Sequence, residues 1–136
     1  MKGNGLGMKQ VTYGGTTGGL MYMTLKGVWF NRILSGIKKI EYREGKAYWD
    51  RRLLDGNAWK DVKFIRFSNG YGSKAPAFTV ECVGIKANLG SHPNESDKCY
   101  EKDFSTDCVA LDSVDDVEKI NEYQIKLGRI VSREHC

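Results

Sequence analysis

Residues 35–52 read SGIKKIEYREGKAYWDRR, and charged or aromatic side chains fill most of this stretch. Within it, residues 39–43 alternate between charged and apolar, which predicts a β-strand with two different faces. Glu41 and Arg43 fall on the same face, so they can pair with each other or both line a groove. Residues 46–54 predict a short helix. The stretch therefore places a dense group of charges on a strand and a helix.

The chain before this stretch predicts a strand over residues 21–26 and a helix from Gly27 to Ser35. Four apolar residues at helical spacing would form its buried stripe: Phe30, Ile33, Leu34 and Ile37. Gly36 is a suitable helix stop. Residues 1–20 contain seven glycines and few apolar residues, which predicts a flexible tail. Residues 21–136 are then predicted to form a single domain.

The chain after this stretch predicts strands over residues 62–67, 77–86 and 123–131. Residues 87–107 are polar and predict little regular structure; residues 109–111 and 113–121 predict a short strand and a helix. Several strands are apolar on both faces, which favours a small barrel with a filled interior over a doubly wound parallel sheet. The predicted class is α+β: a barrel of about six strands with two or three flanking helices.

Charge divides unevenly along the chain, whose net charge is +4. Residues 31–66 hold ten Lys or Arg against five Asp or Glu, whereas residues 91–122 hold three against ten. A basic segment predicts a polyanionic partner, and the acidic segment predicts that binding is confined to one face or serves a protein partner. No apolar run is long enough to span a membrane and no apolar leader is seen, so we predict a cytoplasmic protein.

The cysteines and histidines do not have the spacing of a zinc site, so no metal and no cofactor is predicted. A site built from His92, Cys99 and Cys108 is the weaker alternative. We interpret the four cysteines as reduced thiols.

The segment Gly36-Ile37-Lys38-Lys39-Ile40-Glu41-Tyr42-Arg43 resembles the G-x-K-x-x-E-x-R signature of the ASCH domain family, part of the PUA-like superfamily. The flanking sequences TLKGVWFNRILSG, KAYWDRRL, FIRFSNGYG and YQIKLGRI resemble further blocks of a subgroup common in phage and bacterial genomes. The resemblance covers roughly residues 23–86 and 122–131.

This resemblance implies a six-stranded PUA-like barrel with a cleft beside the first helix. Members are thought to bind RNA, and some hydrolyse RNA or acylated nucleosides with the signature lysine, here Lys38, in the active site. Glu41 occupies the position at which the deacylating members carry a threonine. If this chain is an enzyme, Lys38 and Glu41 are the catalytic candidates.

The residue types themselves suit a ligand of bases and phosphates. Neighbouring positive charges favour a neutral Lys38 that acts as a base or nucleophile, whereas Glu41 favours a charged one that holds phosphate. Aromatic rings offer stacking faces, arginines bind phosphate, and an asparagine amide reads a base edge. The predicted ligand-binding residues are Lys38, Lys39, Glu41, Arg43, Tyr48, Arg51, Arg52, Asn69 and Tyr71.

Three functions remain open from the sequence. The first is binding of RNA or a modified nucleotide through a basic cleft, and it is the function that we predict. The second is hydrolysis of RNA or an acylated nucleoside in the same cleft. The third is a non-enzymatic adaptor that uses the acidic segment, residues 91–122, as its protein-binding surface. A surface ion-pair ladder is the purely structural interpretation of Lys38, Glu41 and Arg43.

Overall fold

The computed structural model describes residues 8–56, 58–89, 99–102 and 120–135. They form two helices and nine strands, in the order β1 (Lys9–Tyr13), β2 (Thr16–Thr24), α1 (Gly27–Leu34), β3 (Ile40–Glu44), α2 (Ala47–Leu53), β4 (Leu54–Asp55), β5 (Ala58–Trp59), β6 (Val62–Ser68), β7 (Ala77–Leu89), β8 (Cys99–Lys102) and β9 (Ile120–Glu134). The predicted α+β class is confirmed. The strand order is β1-β2-β6-β7-β9-β3, with β8 beside β7 and β4–β5 a separate hairpin. This order does not by itself make a closed barrel, so the PUA-like barrel stays a prediction.

The described residues pack as two compact units. The first unit takes its residues from Met1–Lys39, Asp61–Cys82 and Leu127–Cys136, and the second takes them from Ile40–Lys60 and Val83–Lys126. The long strands β7 and β9 contribute residues to both units. The single domain over residues 21–136 stays a prediction.

In the first unit, residues 9–20 correct the prediction of a flexible tail. β1 and β2 form an antiparallel hairpin with Lys9 opposite Leu20, and β2 then runs parallel to β6. Gly19 is buried, and its amide donates to the carbonyl oxygen of Asp61 at 3.0 Å. A Cβ at Gly19 would collide with that carbonyl. Glycine therefore serves here for a close approach of two backbones, and not for flexibility.

Helix α1 begins where the sequence predicts it. Phe30 and Ile33 are buried, and the ring of Phe30 packs edge to face on Phe78 of β7 at a centroid distance of 4.8 Å. Ile37, predicted as part of the same stripe, is instead 80% exposed. The helix has ended before it, because Gly36 adopts a φ of 83°, the left-handed conformation that commonly ends helices.

In the second unit, strand β3 alternates as predicted, but its charged face is the buried one. Glu41 is 1% exposed, whereas Tyr42 is 46% exposed. β3 pairs antiparallel with β9, with Ile40 opposite Lys126 and Glu44 opposite Glu122. The buried carboxylate lies beside an opposite charge: Nη2 of Arg43 is 2.7 Å from its Oε2.

Helix α2 packs through Leu53, which is fully buried. Tyr123 of β9 is also fully buried, and its hydroxyl donates to Oδ1 of Asp50 in α2 at 2.5 Å. The ring of Trp59 packs edge to face on Tyr123 at 6.4 Å. Burial, and then the hydrogen bond to Asp50, raise the pKa of Tyr123 well above its ordinary value.

Residues 87–107 contain more strand than predicted. β7 continues to Leu89 instead of ending at residue 86, and β8 pairs with it, with Ala87 opposite Tyr100. β9 begins at Ile120, so residues 120 and 121, predicted as the end of a helix, are strand. The predicted strand over residues 109–111 and the rest of that helix lie outside the described residues. Neither described helix is long and apolar enough to cross a membrane.

Candidate anion-binding cleft

A cleft of about 810 Å³ lies within the first unit, beside the end of helix α1. Apolar residues of α1, β7 and β9 line part of it: Ile33, Val80, Leu127 and Ile130. Its charged lining residues are Lys38, Lys39, Glu81, Arg129 and Arg133. Four cations against one carboxylate give this cleft a strong positive excess, which suits a phosphate-bearing ligand.

Backbone hydrogen bonds hold the lysines at the cleft. The amide of Lys38 donates to the carbonyl oxygen of Arg32 at 2.9 Å, which ties the loop after α1 to the last turn of the helix. The carbonyl oxygen of Lys39 accepts from the amide of Leu127 at 2.8 Å, which ties the same loop to β9. Arg129 and Arg133 follow in β9. Both arginines line the cleft.

Glu81 of β7 fixes the position of Arg129. Its Oε1 accepts from the amide of Arg129 at 2.9 Å and from the guanidinium Nε at 3.2 Å, and its Oε2 accepts from Nη2 at 3.3 Å. The guanidinium hydrogen bond, followed by the backbone one, holds the pKa of Glu81 below its ordinary value, and the same pair raises the pKa of Arg129. Both groups are therefore charged at neutral pH.

Trp29 of helix α1 lies next to the cleft and is 44% exposed. Nζ of Lys38 lies 4.9 Å from the centroid of the Trp29 ring, and Cζ of Arg32 lies 4.8 Å from it. Both distances are within the range of a cation–π interaction. Lys38 thus belongs both to the cleft lining and to the surroundings of an exposed aromatic ring.

Of the nine predicted ligand-binding residues, Lys38 and Lys39 line this cleft, and the other seven are not among its lining residues. Glu41 and Arg43 form an ion pair in the second unit: Nη2 of Arg43 lies 2.7 Å from Oε2 of Glu41. The Glu41 side chain is 2% exposed and that of Arg43 is 24% exposed. The prediction that both share a strand face is confirmed.

Helix α2 of the second unit carries three more of the predicted residues. Tyr48 is exposed and packs edge to face on Trp49 at 5.0 Å. Cζ of Arg52 lies 5.5 Å from each of these two rings, and Cζ of Arg43 lies 5.1 Å from the Trp49 ring. Arg51 is exposed, and its carbonyl oxygen accepts from Nζ of Lys60 at 2.6 Å. Trp49, interpreted from sequence as core, is half-buried between arginines.

Asn69 and Tyr71 lie in the loop between β6 and β7, within the first unit. The backbone amide of Asn69 donates to the carbonyl oxygen of Pro76 at 2.9 Å, which closes the loop. Tyr71 is 91% exposed. Gly70 and Gly72 take φ values of 93° and 106°, so they provide the turn geometry.

Four residues of the cleft region were not predicted: Trp29, Glu81, Arg129 and Arg133. The available signal was the spacing of Arg129 and Arg133 in the last strand. Side chains four residues apart lie on the same face of a regular strand, so the spacing predicts two cations on one face. Trp29 lies three residues before Arg32, a spacing that brings side chains together on a helix. Glu81 carries no such signal, since its partner is 48 residues away along the chain.

Comparison of the chain with protein-family models, with curated proteins and with solved structures finds no match.

Proposed function

We propose that this protein binds RNA, or a nucleotide-like ligand, by holding its phosphates in the cleft beside helix α1. The observation that carries the proposal is the cleft lining, which includes four cations, Lys38, Lys39, Arg129 and Arg133, and one carboxylate, Glu81. Guanidinium groups match the geometry of phosphate, and ammonium groups add charge without a fixed geometry.

The ASCH resemblance supports the same proposal. It implies a cleft beside the first helix that contains the signature lysine, and Lys38 lines a cleft beside α1. We extend the proposal to the fold: the strands described above belong to a PUA-like barrel, and the chain is an ASCH domain. Membership predicts that the sheet closes into a barrel.

Hydrolysis of the ligand is the alternative function, and one observation favours it. Lys38 and a carboxylate line the same cleft, and general acid–base chemistry needs such groups close together. That carboxylate is Glu81, which is held by Arg129, whereas Glu41 is held by Arg43 in the second unit. Lys38 lines this cleft and Glu41 does not, so the cleft gives no support to Lys38 and Glu41 as a catalytic pair.

The adaptor function depends on residues 91–122, which lie largely outside the described residues.

Titration of a labelled RNA strand against purified protein at several salt concentrations tests the proposal. If all four cations bind phosphate, the slope of log affinity against log salt is about −3 for a single strand, and removing one cation reduces its size by about 0.7. Lys38→Ala, Arg129→Ala and Arg133→Ala are the test variants. Lys9→Ala is the matched control, since Lys9 is an exposed cation of the same unit outside the cleft.

A denaturing gel of the same samples shows whether the RNA stays intact, and so separates binding from hydrolysis. The binding function is supported if the RNA stays intact and the titration shows binding that is weakened in the three test variants and unchanged in Lys9→Ala. Shortened RNA that is lost with Lys38→Ala makes the protein a hydrolase. Equal weakening by Lys9→Ala, or no binding at low salt, contradicts the cleft as the binding site.

A further inference from the structure

Trp29 is exposed to an unusual degree for its residue type. Its neighbour Phe30 is 2% exposed and Ile33 is 4% exposed, whereas Trp29 is 44% exposed. A tryptophan is large and mostly apolar, so leaving nearly half of it in water forgoes a large burial gain. Exposed tryptophan and arginine side chains are the residue types that most often dominate binding energy at interfaces.

Two cations from different parts of the chain lie within cation–π distance of the Trp29 ring. Arg32 lies one turn further along α1, and Lys38 comes from the loop after the helix. Such neighbours favour one orientation of the ring, and a ring that is already oriented loses less conformational freedom when a ligand packs against it. Its position is tied to the cleft, because Lys38 also lines the cleft.

The distances fit one nucleotide. A phosphate bound by Nζ of Lys38 at about 2.8 Å lies no more than about 8 Å from the ring centroid, given the 4.9 Å between Nζ and that centroid. The base and the phosphate of a single nucleotide span such a distance.

We propose that Trp29 is a base-stacking platform for a nucleotide whose phosphate lies in the cleft, so that the ligand is single-stranded nucleic acid and not duplex. The proposal rests on the proposed function, because it takes the cleft as the phosphate site. Stacking on a side chain requires a base that is free of its own helical stack, and single strands provide one. A protein partner docking on Trp29 is the competing explanation, and the test below separates the two.

Fluorescence anisotropy with three probes tests this proposal: a labelled single-stranded RNA, the same strand hybridised to its complement, and labelled inorganic polyphosphate, which has charge and no bases. The variants are Trp29→Ala and the conservative Trp29→Phe. Tyr22→Ala is the matched control, because Tyr22 is an exposed aromatic residue of the same unit that does not line the cleft. Circular dichroism of each variant confirms that helix α1 is intact.

The expected result is selective. Trp29→Ala weakens single-stranded RNA binding by about 5- to 100-fold and leaves polyphosphate binding within about twofold. Trp29→Phe retains most of the RNA affinity, since it retains a stacking face, and Tyr22→Ala changes nothing. The wild type prefers the single strand to the duplex.

Three results would overturn the platform. Equal binding of single-stranded RNA by Trp29→Ala and the wild type shows that Trp29 does not stack on a base. This is the result expected if Trp29 instead binds a protein partner. Equal weakening of RNA and polyphosphate binding makes Trp29 a support of the cleft and not a stacking surface. Failure of the wild type to bind either RNA or polyphosphate overturns the proposed function as well, whereas loss of the platform alone leaves polyphosphate binding intact.

Discussion

At the residue scale, the buried carboxylate of Glu41 forms an ion pair with Arg43. The Glu41 side chain is 2% exposed, and the guanidinium of Arg43 lies 2.7 Å from it. A buried ion pair adds little net stability, but removing one partner leaves a charge in a poor environment. This asymmetry distinguishes a structural role of the pair from a ligand-binding one.

Arg43→Ala is expected to lower the free energy of unfolding by about 3 kcal/mol, the low end for breaking a buried pair, since Arg43 is itself partly exposed. Combining it with Glu41→Gln restores part of that loss, because the buried charge is gone. Urea denaturation measures both values. Arg51→Ala on the exposed surface of α2 is the control, expected within about 0.5 kcal/mol of the wild type. Equal effects of Arg43→Ala and Arg51→Ala would contradict a structural pair.

A second residue-scale prediction concerns competition for Arg129. Glu81→Gln releases Arg129 from its carboxylate, so RNA or polyphosphate affinity at neutral pH is expected to rise about two- to fivefold, the value of an exposed ion pair. Glu134→Gln is a matched control: it makes the same charge change in the same unit, at a carboxylate that pairs with Arg66 at 2.8 Å and does not line the cleft.

The pH dependence of ligand affinity follows from the pair of Glu81 and Arg129. Because Arg129 holds the pKa of Glu81 below 4.5, wild-type affinity is expected to increase only when pH falls below that value, where Glu81 becomes protonated. Glu81→Gln has no such increase. A gain in affinity by Glu134→Gln as large as that by Glu81→Gln would show that net charge, and not release of Arg129, is responsible.

At the element scale, the turn from β3 into α2 is determined by a close contact. A Cβ on Gly45 would collide with the carbonyl group of Ile120 at the start of β9, and the amide of Gly45 donates to the carbonyl oxygen of Asn121 at 3.0 Å. Two backbones meet there without room for a side chain. Glycine is therefore required by packing at this position.

Gly45→Ala is expected to destabilise the protein by about 1–3 kcal/mol, the usual cost of adding a methyl group where there is no space. Thermal denaturation followed by circular dichroism measures the effect. Glu44→Ala, in the same turn, is the control, because the Glu44 side chain is 74% exposed. If both variants melt at the temperature of the wild type, the contact at Gly45 is not limiting.

Some of these elements were predictable from the sequence and others were not. Helix α1 and strands β6 and β7 carry their own apolar periodicity, so their positions were predictable from local pattern. The hairpin of β1 and β2 was not, because Gly19 signals flexibility locally while its role is set by Asp61, far along the chain. Lys38 was named from a local motif and lines the cleft, whereas Glu81 was found only through its distant partner Arg129.

At the scale of the whole molecule, pH limits stability on both sides. Glu81 and Glu134 have lowered pKa values because each accepts hydrogen bonds from an arginine. Their contribution is present above the ordinary glutamate value of 4.5 and is lost as pH falls through their folded-state values. Tyr123 acts at the other end: its raised pKa means that stability is retained below 10.0 and declines above it, where only the unfolded chain loses the proton.

Urea denaturation between pH 3 and pH 11 is therefore expected to give a plateau with a decline at each end. Tyr123→Phe lowers the plateau, because Asp50 loses its donor, but it removes the contribution of Tyr123 to the alkaline decline. Glu81→Gln likewise reduces the acid decline. An alkaline decline of the same size in Tyr123→Phe would contradict the assignment to this buried hydroxyl.

The first unit is assembled from three separated stretches of chain, and this has a consequence during synthesis. Strand β2 pairs in parallel with β6, and the cleft takes Leu127, Arg129 and Arg133 from β9. A growing chain on the ribosome therefore contains Trp29 and Lys38 long before the cleft residues of β9 have been made. Translation must proceed past Arg133 before the whole cleft lining exists, so any messenger interrupted before that codon yields a product without the complete cleft.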